Sequence, residues 1–464
     1  MILKNSLIYY NGSLQDGVLL ILNGKIIDIL NHSSIDDLKS IRAKNEDGIE
    51  VDCEKRIVLP GIIDIHSHLR DMEQHDKETF STGTLAAAVS GITTVFNMPN
   101  TIPPAITANQ IKKWMKKAEN NIYVNVGFIA GVPKNIDFKE INSILELGVV
   151  GFKIYPSGPL NELDWTDYLN IQKILHISSK YQVPIFIHPD WPLTSEEKDE
   201  VYANSTLLYE SELKVHNIMY PVSQEAKYVN FIIENYYKII TDLNLSEEKY
   251  PIIHLCHISC KDSYSLIQKA LNMKSNLKLS FEVTPHHLLL ANTVELSNPN
   301  FGKILPPLRD EEHSSFLFEE LKKGNIILIG TDHAPHTLGE KTGDYDNAPS
   351  GFPGFETYAL TLLDKMWRDD LPLETFVKAA SENPAKIFKL KNKGFIRVGY
   401  DADLIVIEKV PEIPINPEEF KTKAKFSPFE GYLSTLRIWK VFLSGTEINI
   451  ESGRPKGNIL KHSS

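Results

Sequence analysis

The sequence predicts an α/β fold, a (β/α)8 barrel with a small composite β-sandwich domain formed by both chain ends. Two observations carry this. Eight apolar, β-rich runs alternate with amphipathic stretches through the middle of the chain, and short hairpin-like segments fill both ends. Runs buried on both faces and separated by helices belong to parallel sheets, and eight such units suit a closed barrel. The count alone also admits an open, doubly wound sheet.

The elements follow in chain order. Residues 1–58 hold the runs Leu7–Tyr10, Val18–Leu22 and Lys25–Leu30, punctuated by Asn11-Gly12 and Asn23-Gly24. Asn-Gly between β-like runs is a hairpin signal. Residues 59–394 hold the eight core runs: Ile62–Leu69, Thr93–Pro99, Tyr123–Ala130, Val149–Pro156, Val183–Pro189, Pro251–Ser259, Lys278–Leu288 and Asn325–Pro335. Helical stretches such as Thr107–Asn120, Asp164–Tyr181 and Val222–Leu243 lie between them; in the first, Ile111, Met115 and Ala118 recur at helical spacing. Residues 395–464 return to β-like runs in Asp403–Ile407 and Ile438–Leu443. Each end looks too small to fold alone, so the two are expected to pair.

Composition narrows the function. The 464 residues exceed the roughly 250 of a typical barrel, leaving room for a second, smaller domain. Lys and Arg number 49 against 60 Asp and Glu, a net charge of −11 that argues against nucleic acid or an acidic membrane surface as partner. Three cysteines, Cys53, Cys256 and Cys260, are too few for a disulfide scaffold. The N-terminus lacks the pattern of a signal peptide, and no run of about 20 apolar residues exists to span a membrane. The cytoplasm is the expected location.

Polar residues gather at the ends of the runs, where a barrel collects its catalytic groups. The first run ends Asp64-Ile65-His66-Ser67-His68-Leu69-Arg70. Residues two apart on a strand share a face, so His66 and His68 converge, and two imidazoles suit one metal ion. Two unrelated surface histidines are the plain alternative. The fourth run carries Lys153 among apolar neighbours. A buried lysine is costly unless paired or neutralised. It forms an ion pair, snorkels outward, or reacts as neutral amine with carbon dioxide to give a carbamate, an anionic donor that bridges two cations.

The fifth run ends in His188. The sixth holds His254 and His257; alternation sends them to opposite faces, and His257, nearer the C-terminal end, is read as the inward one. Cys256 and Cys260 lack the second pair that a zinc knuckle needs, and Cys256 is expected to be core packing. The eighth run ends Gly330-Thr331-Asp332-His333, placing Asp332 as a ligand or general base, with a helix cap as its alternative. Together His66, His68, Lys153, His188, His257 and Asp332 offer four imidazoles and two oxygen donors, a set that suits two zinc-like ions.

The chain resembles the amidohydrolase superfamily and, within it, the dihydroorotases. The resemblance runs through VLPGIIDIHSHLRD, FSTGTLAAAVSGITTVFNMPNTIPP, GFKIY, IHLCHIS, EVTPHHLLL, ILPPLRD, GTDHAPH, SGFPGFET, ENPAKIF, GYDADLIVIE and FSPFEGY, nearly the whole chain. It implies the barrel, the end-built sandwich, and two Zn2+ held by the six residues above and bridged by carboxylated Lys153 and hydroxide. It implies Asp332 as proton shuttle, and Arg70, Asn100 and His336 as the grip on a substrate carboxylate. The implied substrates are the small molecules dihydroorotate and N-carbamoyl-L-aspartate, interconverted in pyrimidine synthesis. A homodimer, and association with aspartate carbamoyltransferase, are the assemblies it raises.

Two rivals stand beside this reading. One is another cyclic amidohydrolase, such as an allantoinase or a dihydropyrimidinase (hydantoinase). The other is a non-catalytic scaffold relative, which all six ligand positions argue against. The chain departs from the dihydroorotase pattern around the pocket. Leu305 stands before PPLR where Asn is common, Asp71-Met72 replaces Glu-Pro, Pro189-Asp190-Trp191 follows His188, and Met219-Tyr220-Pro221 lacks an Arg. Residues 337–354, with four glycines, are expected to form a mobile loop beside the site.

Overall fold

The computed structural model describes residues 1–31, 48–204, 211–368, 370–449 and 454–462. Strands β1 (Ile2–Tyr10), β2 (Ser13–Leu22) and β3 (Lys25–Asn31) form an antiparallel meander. Its two turns fall on Asn11-Gly12 and Asn23-Gly24, where all four residues have positive φ. Such turns match the twist of paired strands, and Asn and Gly accept the left-handed backbone most readily. Strands β4 (Glu50–Asp52) and β5 (Ile57–Pro60) then pair parallel to β1.

The barrel strands follow: β6 (Ile62–Ser67), β7 (Ile92–Asn97), β8 (Asn125–Gly131), β9 (Gly151–Ile154), β10 (Pro184–Ile187), β11 (Ile252–Leu255) and β12 (Leu279–Phe281). Each is parallel to its neighbour, in chain order. Some of the helices between them start at side-chain caps. Thr107 accepts from Gln110 N ahead of Ala108–Ala118, and Asp167 accepts from Leu169 N ahead of Tyr168–Tyr181.

The eighth run closes the barrel without forming a regular strand. Ile329 bridges Val283 beyond β12, and His333 bridges Ser67 at the end of β6. A side chain completes the seam: Asp64 accepts from Thr331 N at 2.8 Å and from Thr331 Oγ1 at 2.6 Å. Left-handed backbone at Asp332 (φ 49°) and the imide nitrogen of Pro335 break the ladder here. The result is a (β/α)8 barrel.

The chain ends meet in one mixed sheet. Strands β13 (Leu404–Pro414), β14 (Leu433–Leu443) and β15 (Thr446–Glu447) extend it antiparallel from β5, giving the order β15-β14-β13-β5-β1-β2-β3. Its core gathers Leu3, Leu19, Ile26, Val58, Leu404 and Phe442. The tail then leaves this sheet: β16 (Ile459–Leu460) pairs with Val126 and Gly127 of the barrel. No helix among the described residues is long and apolar enough to cross a membrane.

An ion-pair network around Asp401 joins the two ends. The buried ammonium of Lys393 lies 2.6 Å from Asp403 and 3.0 Å from Asp401, and Asp401 also receives Lys25 at 2.8 Å. Removing the cation leaves the buried Asp403 without its ion-pair partner and Asp401 with Lys25 alone. Lys393→Met should therefore cost about 3 kcal/mol, the scale for breaking a buried pair from one side. A denaturant midpoint equal to that of the wild type would show that the network contributes nothing.

Candidate metal centre

All of the sequence-predicted site residues except Lys153 and His336 line one cavity of about 200 Å³, formed by His66, His68, Arg70, Asn100, Tyr155, His188, His257, Ile304, Leu305, Asp332, Ala334, Ser350 and Gly351. Four imidazoles pack along one wall. Ring centroids lie 5.5 Å apart for His66 and His68, 5.1 Å for His66 and His257, and 4.4 Å for His188 and His257. Asp332 Oδ1 faces them, 3.0 Å from His68 Nε2 and 3.4 Å from His66 Nε2. Asp332 is thus no helix cap.

The far nitrogens of the paired histidines are already engaged. His68 Nδ1 lies 2.6 Å from Asn100 Oδ1, and His66 Nδ1 bonds Glu282. Those contacts leave each Nε2 as the ring nitrogen turned toward Asp332 and the cavity. Burial, the largest influence, would raise the carboxyl of Asp332, yet His66 and His68 hold it well below the usual carboxylate range. It is an anion at neutral pH.

The donor set fits metal. His66, His68 and Asp332 place one ligand atom each within 4.8 Å of one another. The buried Nδ1 of His257 has no hydrogen-bond partner among the described residues. Lys153 is 1% exposed on β9, and its Nζ lies 2.8 Å from Cys256 Sγ. Its amine therefore meets a thiol rather than a carboxylate, and neither an ion pair nor an outward stem accounts for it.

Strand alternation misplaces the sixth run. His254 and Cys256 do point into the barrel, but His257 reaches the site as well. Strand β11 ends at Leu255, and His257 has φ 36°. The left-handed turn resets the alternation just past the strand. His254 sits one layer lower, against Phe186 and Phe388.

Glu282 is the residue that sequence reasoning missed. It is fully buried on the segment after β12. It bonds His66 Nδ1, takes His254 Nε2 at 3.0 Å on its other oxygen, and accepts from His257 N at 3.3 Å. Burial would raise its carboxyl, but His66 and His254 hold it far below the usual range. Burial and Lys153 work against charge on His66; Glu282, Cys256 and Asp332 outweigh them and push it up to about 10. The signal was present: a carboxylate inside LSFEVTP is as costly as the lysine inside GFKIY.

The lining also holds one cation. Arg70 is buried and lies against the 335–336 turn, its Nε 3.3 Å from Pro335 O and its Nη2 3.4 Å from His336 Nε2. Asp71 serves elsewhere, accepting from Phe80 N at 2.8 Å, so Arg70 is not spent on it. His336 itself stands just behind the lining, 3.1 Å from Lys77 Nζ and 3.1 Å from Ser350 O. Burial, then Arg70, Lys77 and Lys341, hold its imidazole neutral.

Residues 337–354 are tied down rather than free. Thr337 caps the short helix Leu338–Lys341. The buried Lys341 donates to Pro349 O at 2.9 Å, and Lys303 donates to Tyr345 O at 2.5 Å. Lysines buried against carbonyls hold what the glycines suggested would move.

Residues 57–448 match the model of the amidohydrolase family. The chain belongs to the amidohydrolase family. This amidohydrolase is 34% identical to a dihydroorotase of Methanosphaera stadtmanae over 88% of this chain and 90% of that one. It is 33% identical to a dihydroorotase of Methanosarcina acetivorans over 99% of this chain and 95% of that one. Its fold matches the L-hydantoinase (dihydropyrimidinase) of Arthrobacter aurescens with a TM-score of 0.86 at 23% identity, covering 99% of both chains. It also matches a dihydropyrimidinase of Brevibacillus agri at 0.83 and 21%, covering 100% of this chain and 98% of that one. The amidohydrolase is a hydrolase acting on cyclic amides.

Glu282 yields a prediction. Glu282→Gln keeps the shape but loses the anion that fixes His66. Affinity for divalent metal should fall about 10- to 100-fold, the usual effect of removing a ligand's hydrogen-bonded carboxylate. Titration of metal-free protein with zinc and a competing chelator measures it, and an unchanged affinity would remove Glu282 from the metal centre.

Proposed function

We propose that this amidohydrolase is a dihydroorotase, which interconverts dihydroorotate and N-carbamoyl-L-aspartate as a step of pyrimidine synthesis. One observation carries the reading. The cavity that holds the Asp332–imidazole wall is also lined by a buried guanidinium, Arg70. A substrate that fits it is a cyclic amide with a carboxylate at its other end.

In this reading His66, His68, His188, His257, Asp332 and carboxylated Lys153 hold two divalent cations, zinc by the nature of the donors. Bound there, the ions supply Lewis acidity and a hydrolytic water ready at neutral pH. Asp332 takes the proton of the attacking water and delivers it to the ring nitrogen as the amide bond breaks. In the cyclising direction it removes that proton from the ureido nitrogen. Arg70 grips the carboxylate through a planar pair of N–H groups that lysine cannot offer. Asn100, whose Oδ1 faces His68, keeps its Nδ2 for the same carboxylate. Neutral His336 completes the grip beside Arg70.

The hydantoinase reading draws on the fold likeness, which at 23% and 21% identity speaks for the fold alone. Hydantoins and dihydrouracil carry no ring carboxylate, so Arg70 would stay buried and unused, a costly arrangement. The two curated relatives named above are both dihydroorotases.

Two experiments test the reading. Purified protein offered dihydroorotate, allantoin and dihydrouracil side by side should prefer dihydroorotate. Arg70→Met should raise the KM for dihydroorotate about 10- to 100-fold, since a hydrogen bond to a charged group contributes about 1.5–3 kcal/mol. Its metal content should stay that of the wild type. Preference for dihydrouracil or allantoin would end the assignment.

The metal set has its own test. Protein prepared without chelator should hold two divalent ions per chain, by elemental analysis. Lys153→Ala should lose metal and activity together, and a short carboxylic acid with added metal should restore part of both. Full activity of Lys153→Ala would refute the bridging carbamate.

A further inference from the structure

The helix Phe355–Trp367 starts without a cap of its own. Its N-cap residue is Gly354, which has no side chain to accept from the first turn. The acceptor comes from across the barrel seam. His333 Nδ1 accepts from Gly354 N at 3.1 Å and from Phe355 N at 3.4 Å. The His333 ring is fully buried and stacks on Phe355, with centroids 3.8 Å apart and planes 5° from parallel. A nitrogen that accepts carries no proton, so the imidazole is neutral with its proton on Nε2. Nε2 faces Glu78 Oε2 at 3.7 Å, beyond hydrogen-bond reach. Nδ1 and the stack therefore hold the ring.

This anchor sits beside Asp332, whose left-handed φ of 49° persists in a residue other than glycine only when its surroundings dictate it. On one side, Thr331 is clasped by Asp64. On the other, His333 is clasped to the start of the helix. The His333 carbonyl also accepts from His68 N at 2.7 Å, so the same anchor reaches the backbone of His68. We propose that the His333 imidazole is a positioning residue: by capping the helix at Gly354 and Phe355, it holds the Asp332 carboxylate against the imidazoles of His66 and His68. This role rests on the reading of Asp332 as ligand and proton shuttle, and is independent of which cyclic amide is the substrate.

Three variants separate the ring's contacts. His333→Asn sets an oxygen near the place of Nδ1 and keeps an acceptor for Gly354 N. His333→Gln carries its amide out toward the place of Nε2. His333→Ala removes both. Activity is read on whichever cyclic amide the wild type turns over fastest. The kcat of the Ala and Gln variants should fall about 100-fold, the scale for a reacting group displaced by about 1 Å. KM should change little, because Arg70 still lines the cavity. Zinc affinity, from titration of metal-free protein against a competing chelator, should fall about 10- to 100-fold. His333→Asn should restore most of both.

A merely structural ring would lower the melting temperature of the variants and leave kcat and zinc affinity of the folded protein at wild-type values. That result would overturn the proposal, and so would a His333→Asn variant no better than His333→Ala. Rescue by His333→Gln instead would move the anchor to Glu78 and overturn it equally. Where His333→Ala does not fold, the Asn and Gln variants carry the same comparison. Failure of the Asp332 reading shows separately, as an Asp332→Asn variant that keeps wild-type turnover and zinc affinity.

Discussion

The site depends on one buried carboxylate. Glu282 lies beyond the reach of water, where a charge survives only if hydrogen bonds and opposite charge replace its hydration. His66, His254 and the His257 amide provide that replacement, and they come from β6, from β11 and from the turn after it. The carboxylate in turn fixes which nitrogen of His66 is free. Ser280 extends the chain by taking His254 Nδ1 at 2.9 Å. Even the absence of a side chain at Gly330 follows from this centre. A Cβ there would lie 2.6 Å from Glu282 Oε2 and 3.2 Å from His66 Cβ.

Around this point the barrel gives up regular backbone where chemistry gathers. His257 and Asp332 both adopt left-handed φ, and so do Arg70, Asp71 and Met72 in succession. Such conformations cost about 1–3 kcal/mol each where they are strained, and persist only when the surroundings dictate them. Here the surroundings are seven parallel strands and the Asp64–Thr331 clasp that closes them. The strands end early, the turns reset the direction of each side chain, and residues from separate strands come to face one cavity.

This explains what could be read from the sequence and what could not. The runs, their helices and the Asn-Gly hairpins were legible because each follows a local period or a local turn preference. His66 and His68 were legible for the same reason: two residues apart on a regular strand is a statement about geometry. His257 was not, because its direction depends on where β11 ends, and no period marks that. The irregular eighth run likewise shows only in its bridges to Val283 and Ser67, contacts remote in sequence. Glu282 was hidden differently. Its cost could be read from the apolar letters around it, but its partners sit 216 and 28 residues away. The lysine clasps on residues 337–354 were hidden by the glycines, which announce freedom of the backbone and say nothing of Lys303 and Lys341.

The cavity's charge pattern links these constraints to selectivity. The lining combines Asp332 among imidazoles with Arg70, and Ile304 and Leu305 form part of it. A buried guanidinium is costly, and nothing about the barrel's stability demands one at this spot. Lys77 makes the pattern sharper. It pairs with Glu340 at 2.7 Å and lies 3.1 Å from His336 Nδ1, helping to keep that imidazole neutral. Arg70 is thus the cation that lines the cavity, while Lys77 is tied to Glu340 behind it. A single guanidinium favours a singly charged group held in one orientation. Ile304 and Leu305 make their part of the lining apolar, so the polar groups must come from Arg70, Asn100, Asp332 and the imidazoles.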